Sequence, residues 1–401
     1  MSNTLLTIDM ITREALRLAH EKATFIKTIN RQFDDSFGET GAKIGDTLRI
    51  RIPSQYTRRT GSRVMDVQDS AQQSTALTVA TQDGVDMRFN SRELALDLDE
   101  FSKLHLEPAM ATLISNIDSD VLQGCTKSTF NYAGTAGTAI SSLTAMGNAR
   151  TRLNQNLAPK GDRRVQVDSA TMAAIVSGTA AYFNPPGAIS EQFREGLVAR
   201  TAMADYYENE RVWSMVNTTT VTQSTAKMNG YLSTNGQTSI NVSVLTFSLN
   251  VGQKFTLANI WDVHPETKQQ FAQLKQFTVT AVTDASTYTI SPPVYISGAR
   301  QNVSGIGTTT STQTVNVLGS PNSTYALALM YHRDAYTFAT AALPLMADAA
   351  KCVRKTYDGL SLRVWQASDI RNDELLTRID ILYGFAAVRR EWGCAVIGSA
   401  A

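Results

Sequence analysis

The sequence predicts an α+β chain that carries an inserted all-β module. Three observations lead there. Apolar residues recur at helical spacing near the N-terminus and again after Ser91. Between those stretches they alternate with polar residues, as in a half-buried strand. From about Thr218 to Ser320 the composition shifts to Ser, Thr, Val and Gln, and helical patterns vanish. At 401 residues, 43% hydrophobic and 18% charged, the chain is long enough for two or three domains and has the composition of a folded protein.

In chain order, Ile8, Ile11, Ala15, Leu18 and Ala19 share one helical face, followed by Phe25, Ile26, Ile29 and Phe33. Such an amphipathic leader needs a surface to lie on, and a neighbouring subunit is the expected one. The period then changes to two in "TLRIRIP", with Leu48, Ile50 and Ile52 facing one way, and in "GVDMRF", with Val85, Met87 and Phe89. These two runs read as the limbs of one long hairpin over residues 47–89, roughly 50 Å or more at about 3.3 Å per residue. At its tip lies "RRTGSRVMDVQDSAQQ", with Arg58, Arg59 and Arg63 ahead of Asp66 and Asp69.

After Ser91, Leu104, Leu113, Ile114, Ile117, Val121 and Leu122 fall at helical spacing, with Pro108 in the first turn and Gly124 just past the end. "YAGTAGTAISS" reads as a loop and "LTAMGNARTRLNQNLAP" as a helix that stops at Pro159. "RRVQVDSATMAAIVSG" reads as a strand, a cap and a helix. The module of about 100 residues that follows shows short strands such as "KFTLANI", "QFTVTAV" and "TYTISPPVYI", with an Asn235-Gly236 turn. "SLRVWQASDI" and "LLTRIDILYGFAAVRREWGCAVIG" close the chain as strands.

Composition and motifs exclude several functions. Lys plus Arg is 37 and Asp plus Glu is 36, so the net charge of +1 gives little steering toward DNA. Cys125, Cys352 and Cys394 are far apart and odd in number, which suggests neither disulfides nor zinc and fits a reducing place of folding. No signal-peptide pattern opens the chain and no apolar run is long enough to span a bilayer, so no membrane partner is expected. "HRDAYTFA" copies three letters of a kinase catalytic loop, but Ala339 stands where magnesium needs an Asn. A strand-to-helix turn capped by Asp334 is the plainer reading of His332. "SGIGTTTS" lacks the Lys of a phosphate loop and reads as a hairpin tip. Asp97 to Glu100 suit a helix N-terminus. No catalytic constellation, metal site or cofactor site emerges.

"REALRLAHEKATFIKTINRQFDDSF" followed by "KIGDTLRIRIPSQYTRRTG", with "LALMYHRDAYTFATAALPL" and "RIDILYGFAAVRREWGCAVIG", resembles the Salmonella podovirus coat group within the Hong Kong 97 type of major capsid protein. The resemblance covers nearly the whole chain. It implies an N-terminal arm over residues 1–40, an E-loop hairpin over 41–90 and a peripheral domain with a spine helix over 91–130. An axial domain over 131–217, an inserted β-barrel over 218–318 and a return to the axial and peripheral domains over 319–401 complete it. It also implies hexamers and pentamers of this chain, a scaffolding protein, a portal ring and enclosed double-stranded DNA, in a shell assembled in the host cytoplasm. Some members weld their shells through isopeptide bonds, but no catalytic carboxylate stands out here, so noncovalent assembly is expected. On this reading the hairpin residues, from Leu48 to Phe89 with the charged tip, are subunit contacts. A tail or receptor-binding protein is the chief competitor, because Thr- and Ser-rich β-modules occur there; a nucleic-acid binder rests only on "RRTGSR" and "VRR".

Overall fold

A computed structural model describes residues 8–32, 46–62, 65, 67, 72–90, 102–179, 204–217, 226–229, 232, 234–242, 248–305, 313–345, 351–357, 360–369, 372 and 374–400. The chain opens with α1 (Ile8–Lys22), β1 (Asp46–Ile52), β2 (Gln73–Val79), β3 (Thr81–Asn90) and the spine helix α2 (Glu107–Ser128). Next come β4 (Tyr132–Ala133), α3 (Leu143–Gln155), β5 (Arg163–Val167), α4 (Ser169–Thr179), β6 (Asp205–Glu208) and β7 (Ser214–Asn217). The module holds β8 (Gln237–Asn241), β9 (Lys254–Val263), β10 (Gln270–Val282), β11 (Thr287–Val294), β12 (Val303–Ser304) and β13 (Val315–Val317). Finally come β14 (Ser323–His332), β15 (Tyr336–Ala341), β16 (Lys351–Tyr357), β17 (Leu360–Asp369), β18 (Glu374–Ala387) and β19 (Gly393–Ala400).

The chain divides into two compact units. The first, residues 1–50, 75–121 and 336–388, is built on a sheet ordered β15-β18-β17-β16. The long β18 pairs with β17 on one edge, while β15 and β3 share the other edge end to end. Helix α1 buries Ile11, Thr12, Ala15, Leu16, Leu18 and Ala19 and packs on β16 and β17. The leader therefore finds its surface within its own chain. It needs no neighbour, because β16 and β17 offer it an apolar face; Asp9 and Lys355 reinforce the contact at 2.6 Å.

The hairpin differs from expectation. β1 pairs with β2, seven residues each, and β3 pairs with β18 in the register Val85↔Ile379, Met87↔Thr377 and Phe89↔Leu375. Alternation marks a strand but not its partner. Leu77 and Val79 on β2 complete a core with Ile50, Ala339, Ala341, Leu343, Leu382 and Ala386. The backbone approach there is close: a Cβ at Gly384 would lie 2.1 Å from the carbonyl oxygen of Thr78.

The second unit, residues 51–74, 122–335 and 389–401, contains a sheet ordered β4-β19-β14-β5-β6, with β7 also on β14. Met146 and Leu153 of α3 pack with Val165, Val167, Met330 and Val396 of that sheet. The inserted module is a second sheet, β12-β9-β10-β11-β8, with β13 on β9. Residues 226–229 join its two ends. Met228 donates its N–H to Gln313 (2.8 Å) and Val315 donates to Ala226 (2.9 Å) on one side, while Asn229 donates to Asn241 (2.7 Å) on the other. Phe255 and Phe277 stack inside at 5.6 Å with Tyr288, Ile290 and Val315 around them.

Other local expectations also shift. Gly124 lies inside α2, since packing of the helix outweighs one unfavourable residue of about 1 kcal/mol. Leu104 is 63% exposed, on a π-turn over Ser102–Leu106 that breaks the helical stripe. His332 ends β14, and a 3-10 turn over Arg333–Ala335 leads into β15, so the turn joins strand to strand. His332 Nδ1 accepts the Asp334 N–H at 3.2 Å, tightening that turn. "SGIGTTTS" beyond Gly305, Phe33 and Asp97 to Glu100 lie outside the described residues.

Candidate assembly surface and the barrel seat

The described hairpin residues differ in burial. Ile50 and Phe89 are buried within their own chain, Phe89 against the His105 ring at 5.3 Å. Leu48, Ile52, Val85 and Met87 are half-buried, and Val85 and Met87 belong to the β18 sheet rather than to a projecting limb. Arg49, Arg51, Arg58 and Arg59 are exposed, and Tyr56, Met65 and Val67 are 60%, 82% and 78% exposed. Arg63, Asp66 and Asp69 lie outside the described residues.

A second arrangement was not anticipated. The last carbonyls of any α-helix lack partners within it. At the end of α2 the barrel supplies them. Lys254 Nζ donates to Thr126 O at 3.1 Å and also to Thr129 O, and Thr278 Oγ1 donates to Lys127 O at 2.9 Å. Just beyond, Gln276 grips the Tyr132 backbone twice: its Oε1 accepts the N–H at 2.8 Å and its Nε2 donates to the carbonyl at 2.9 Å. Gln253 Nε2 donates to Asn217 Oδ1 at 2.7 Å. Lys127 lies over the Trp213 ring at 5.5 Å, beside Gly252, whose φ of +89° and close approach leave no room for a side chain; a Cβ would come 2.6 Å from Lys127 Cγ.

This seat is polar yet dry: Gln253, Lys254, Gln276 and Thr278 are all buried. Burial pushes the Lys254 amine down to about 7 and the Cys394 thiol up to about 12. In the sequence the signal was a lysine heading the largely apolar strand "KFTLANI". Among the described residues no group of three or more His, Cys, Asp or Glu could hold a metal, and no helix is long and apolar enough to cross a membrane.

Residues 208–398, which include the barrel, match the family model described as P22 coat protein, gene protein 5. Over that stretch, just under half of its length, the chain is similar to the coat proteins of that family. Its fold is similar to a solved structure from Mycobacterium phage Che8, with a TM-score of 0.50 and 11% identity over 93% of this chain and 90% of that one. The α+β fold of the Hong Kong 97 type stands on that likeness. The capsid of Ralstonia phage GP4 matches at a TM-score of 0.43 and 9% identity, covering 94% of this chain and 89% of that one. The CUS-3 coat protein I-domain matches at 25% identity and a TM-score of 0.20, covering 24% of this chain and 96% of that one. No curated protein matches this chain.

Proposed function

We propose that this chain is the major capsid protein of a tailed phage, a structural protein that forms hexamers and pentamers on an internal scaffolding protein in the host cytoplasm and closes them into an icosahedral shell. In this reading a portal ring replaces one pentamer, and the finished shell holds double-stranded DNA by weak contacts. Rings of this kind use heterologous contacts that close on themselves. The observation that carries the reading is the exposed stretch beyond β1, where Tyr56, Met65 and Val67 stand beside Arg58 and Arg59. Apolar side chains bared among charges suit burial against another protein. The arginines set register and partner choice, since exposed ion pairs contribute only about 0 to 1 kcal/mol each. A net charge of +1 suits a shell that must let DNA enter.

Co-expression with the scaffolding protein tests this directly. Closed particles of uniform size are expected by negative-stain microscopy; only monomers or trimers, at several salt concentrations, would overturn it and favour a tail protein. The double variant Arg58→Glu/Arg59→Glu should keep its unfolding free energy within about 0.5 kcal/mol, as exposed changes do, yet form few regular particles. Deleting residues 60–72 should likewise leave a folded monomer that does not assemble. Assembly is noncovalent in this proposal, so particles boiled in SDS should run as a single band at 43.7 kDa.

A further inference from the structure

The Lys254 side chain is fully buried, and its amine has two acceptors, the carbonyl oxygens of Thr126 and Thr129. A charged ammonium carries three N–H donors and a whole charge to compensate. A neutral amine carries two N–H donors and needs no counter-ion. Two carbonyls match the neutral form. The elements packed around the seat offer no spare carboxylate among the described residues. Lys127 on α2 sits over Trp213, Lys275 on β10 is bonded to Asp262 at 2.8 Å, and α3 brings Arg152. Before β19, Arg389 pairs with Glu391 and Arg390 bonds Ser291; β19 itself brings the thiol of Cys394. Glu391 and Asp262 are thus both engaged by other cations. The partial charge at a helix C-terminus, about half a unit, does not neutralise a whole buried one.

We propose that the barrel seat is a proton-sensitive joint: uncharged Lys254 closes the barrel onto the end of the spine helix, and its protonation opens that contact while barrel and helix stay folded. Burial supports this by holding the seated amine at about 7 against the ordinary 10.5. Between those two values an open seat binds a proton that a closed seat does not. Closing therefore strengthens as pH rises, about tenfold per pH unit, and the dependence levels off below about 7.

Hydrogen exchange of the unassembled full chain, corrected for intrinsic rates, reads the joint without reference to shell formation. Amides at Thr129, 253–256 and 276–278 should show an opening constant that falls about 50-fold from pH 7 to pH 9 in the wild type. In Lys254→Met it should be independent of pH, while the barrel-core amides 288–290 stay protected throughout in both. A flat profile in the wild type, or an unchanged slope in Lys254→Met, overturns the proposal. A second readout needs no variant: acetylation of Lys254 by acetic anhydride, relative to exposed lysines, should be more strongly suppressed at pH 9 than at pH 7. Equal suppression at both overturns it as well.

Discussion

Asp118, fully buried on the spine helix, accepts the backbone N–H of Phe25 through Oδ1 at 2.9 Å and that of Ile26 through the same atom at 3.0 Å. The carboxylate acts as an external cap for the short 3-10 turn Ile26–Thr28, whose own N-cap residue, Phe25, has no side chain able to do so. One atom thereby fixes the segment after α1 to α2, with Phe25, Ile26 and Ile29 buried behind it. Asp118→Ala leaves two buried N–H groups without their acceptor, and at about 1 to 3 kcal/mol each the loss should be about 2 to 6 kcal/mol in urea unfolding. Asp118→Asn keeps an acceptor oxygen and should lose less than half as much.

Asp380 holds a buried pair across two strands. Its Oδ2 accepts from Arg363 Nη2 at 2.6 Å, and its Oδ1 from Arg378 Nε at 2.7 Å. Arg363 is buried, so Asp380→Ala strands a guanidinium and should cost about 3 to 5 kcal/mol by thermal or urea unfolding. The double variant Arg363→Met/Asp380→Leu removes both charges and should be markedly more stable than Asp380→Ala alone.

The three thiols are free and differ in burial. Cys125 and Cys394 are buried, and Cys394 is held up at about 12, so its reactive thiolate is scarce at pH 8. Cys352 on β16 is half-buried. A thiol reagent at pH 8 should modify Cys352 alone in the native chain, and all three after denaturation. Rapid reaction of Cys394 in the native chain would contradict the packing of β19.

Burial lowers the His332 pKa below its ordinary 6.5, outweighing the opposing Asp334 and Asp162 carboxylates. The imidazole stays neutral in the fold while the unfolded chain takes up a proton, so this group makes the protein lose stability as pH falls through 6.5 toward the lower folded value. His332→Gln should flatten that acid limb in unfolding curves taken from pH 7.5 to 5. The Trp392 ring, 5.4 Å away, gives a fluorescence reporter of the same site.

Much of this protein was legible in its sequence because period and composition act locally. The apolar face of α1, the strand character of β1 and β3, the helix α2 and the module between about Thr218 and Ser320 all follow from residue spacing that any local window contains. The exposed Arg58 and Arg59 were legible in the same way. What only the tertiary structure decided are the partners. β3 pairs with β18, nearly three hundred residues away, and α1 lies on β16 and β17 of its own chain. Asp118 serves a turn from the N-terminal segment, and Lys254 bonds a helix carbonyl 128 residues earlier. Each of those contacts joins groups distant along the chain, and a hydrogen-bond donor or an apolar edge carries no mark of which distant acceptor or sheet will satisfy it. That choice is made when the whole core closes, since only the assembled core brings most buried polar groups to a partner.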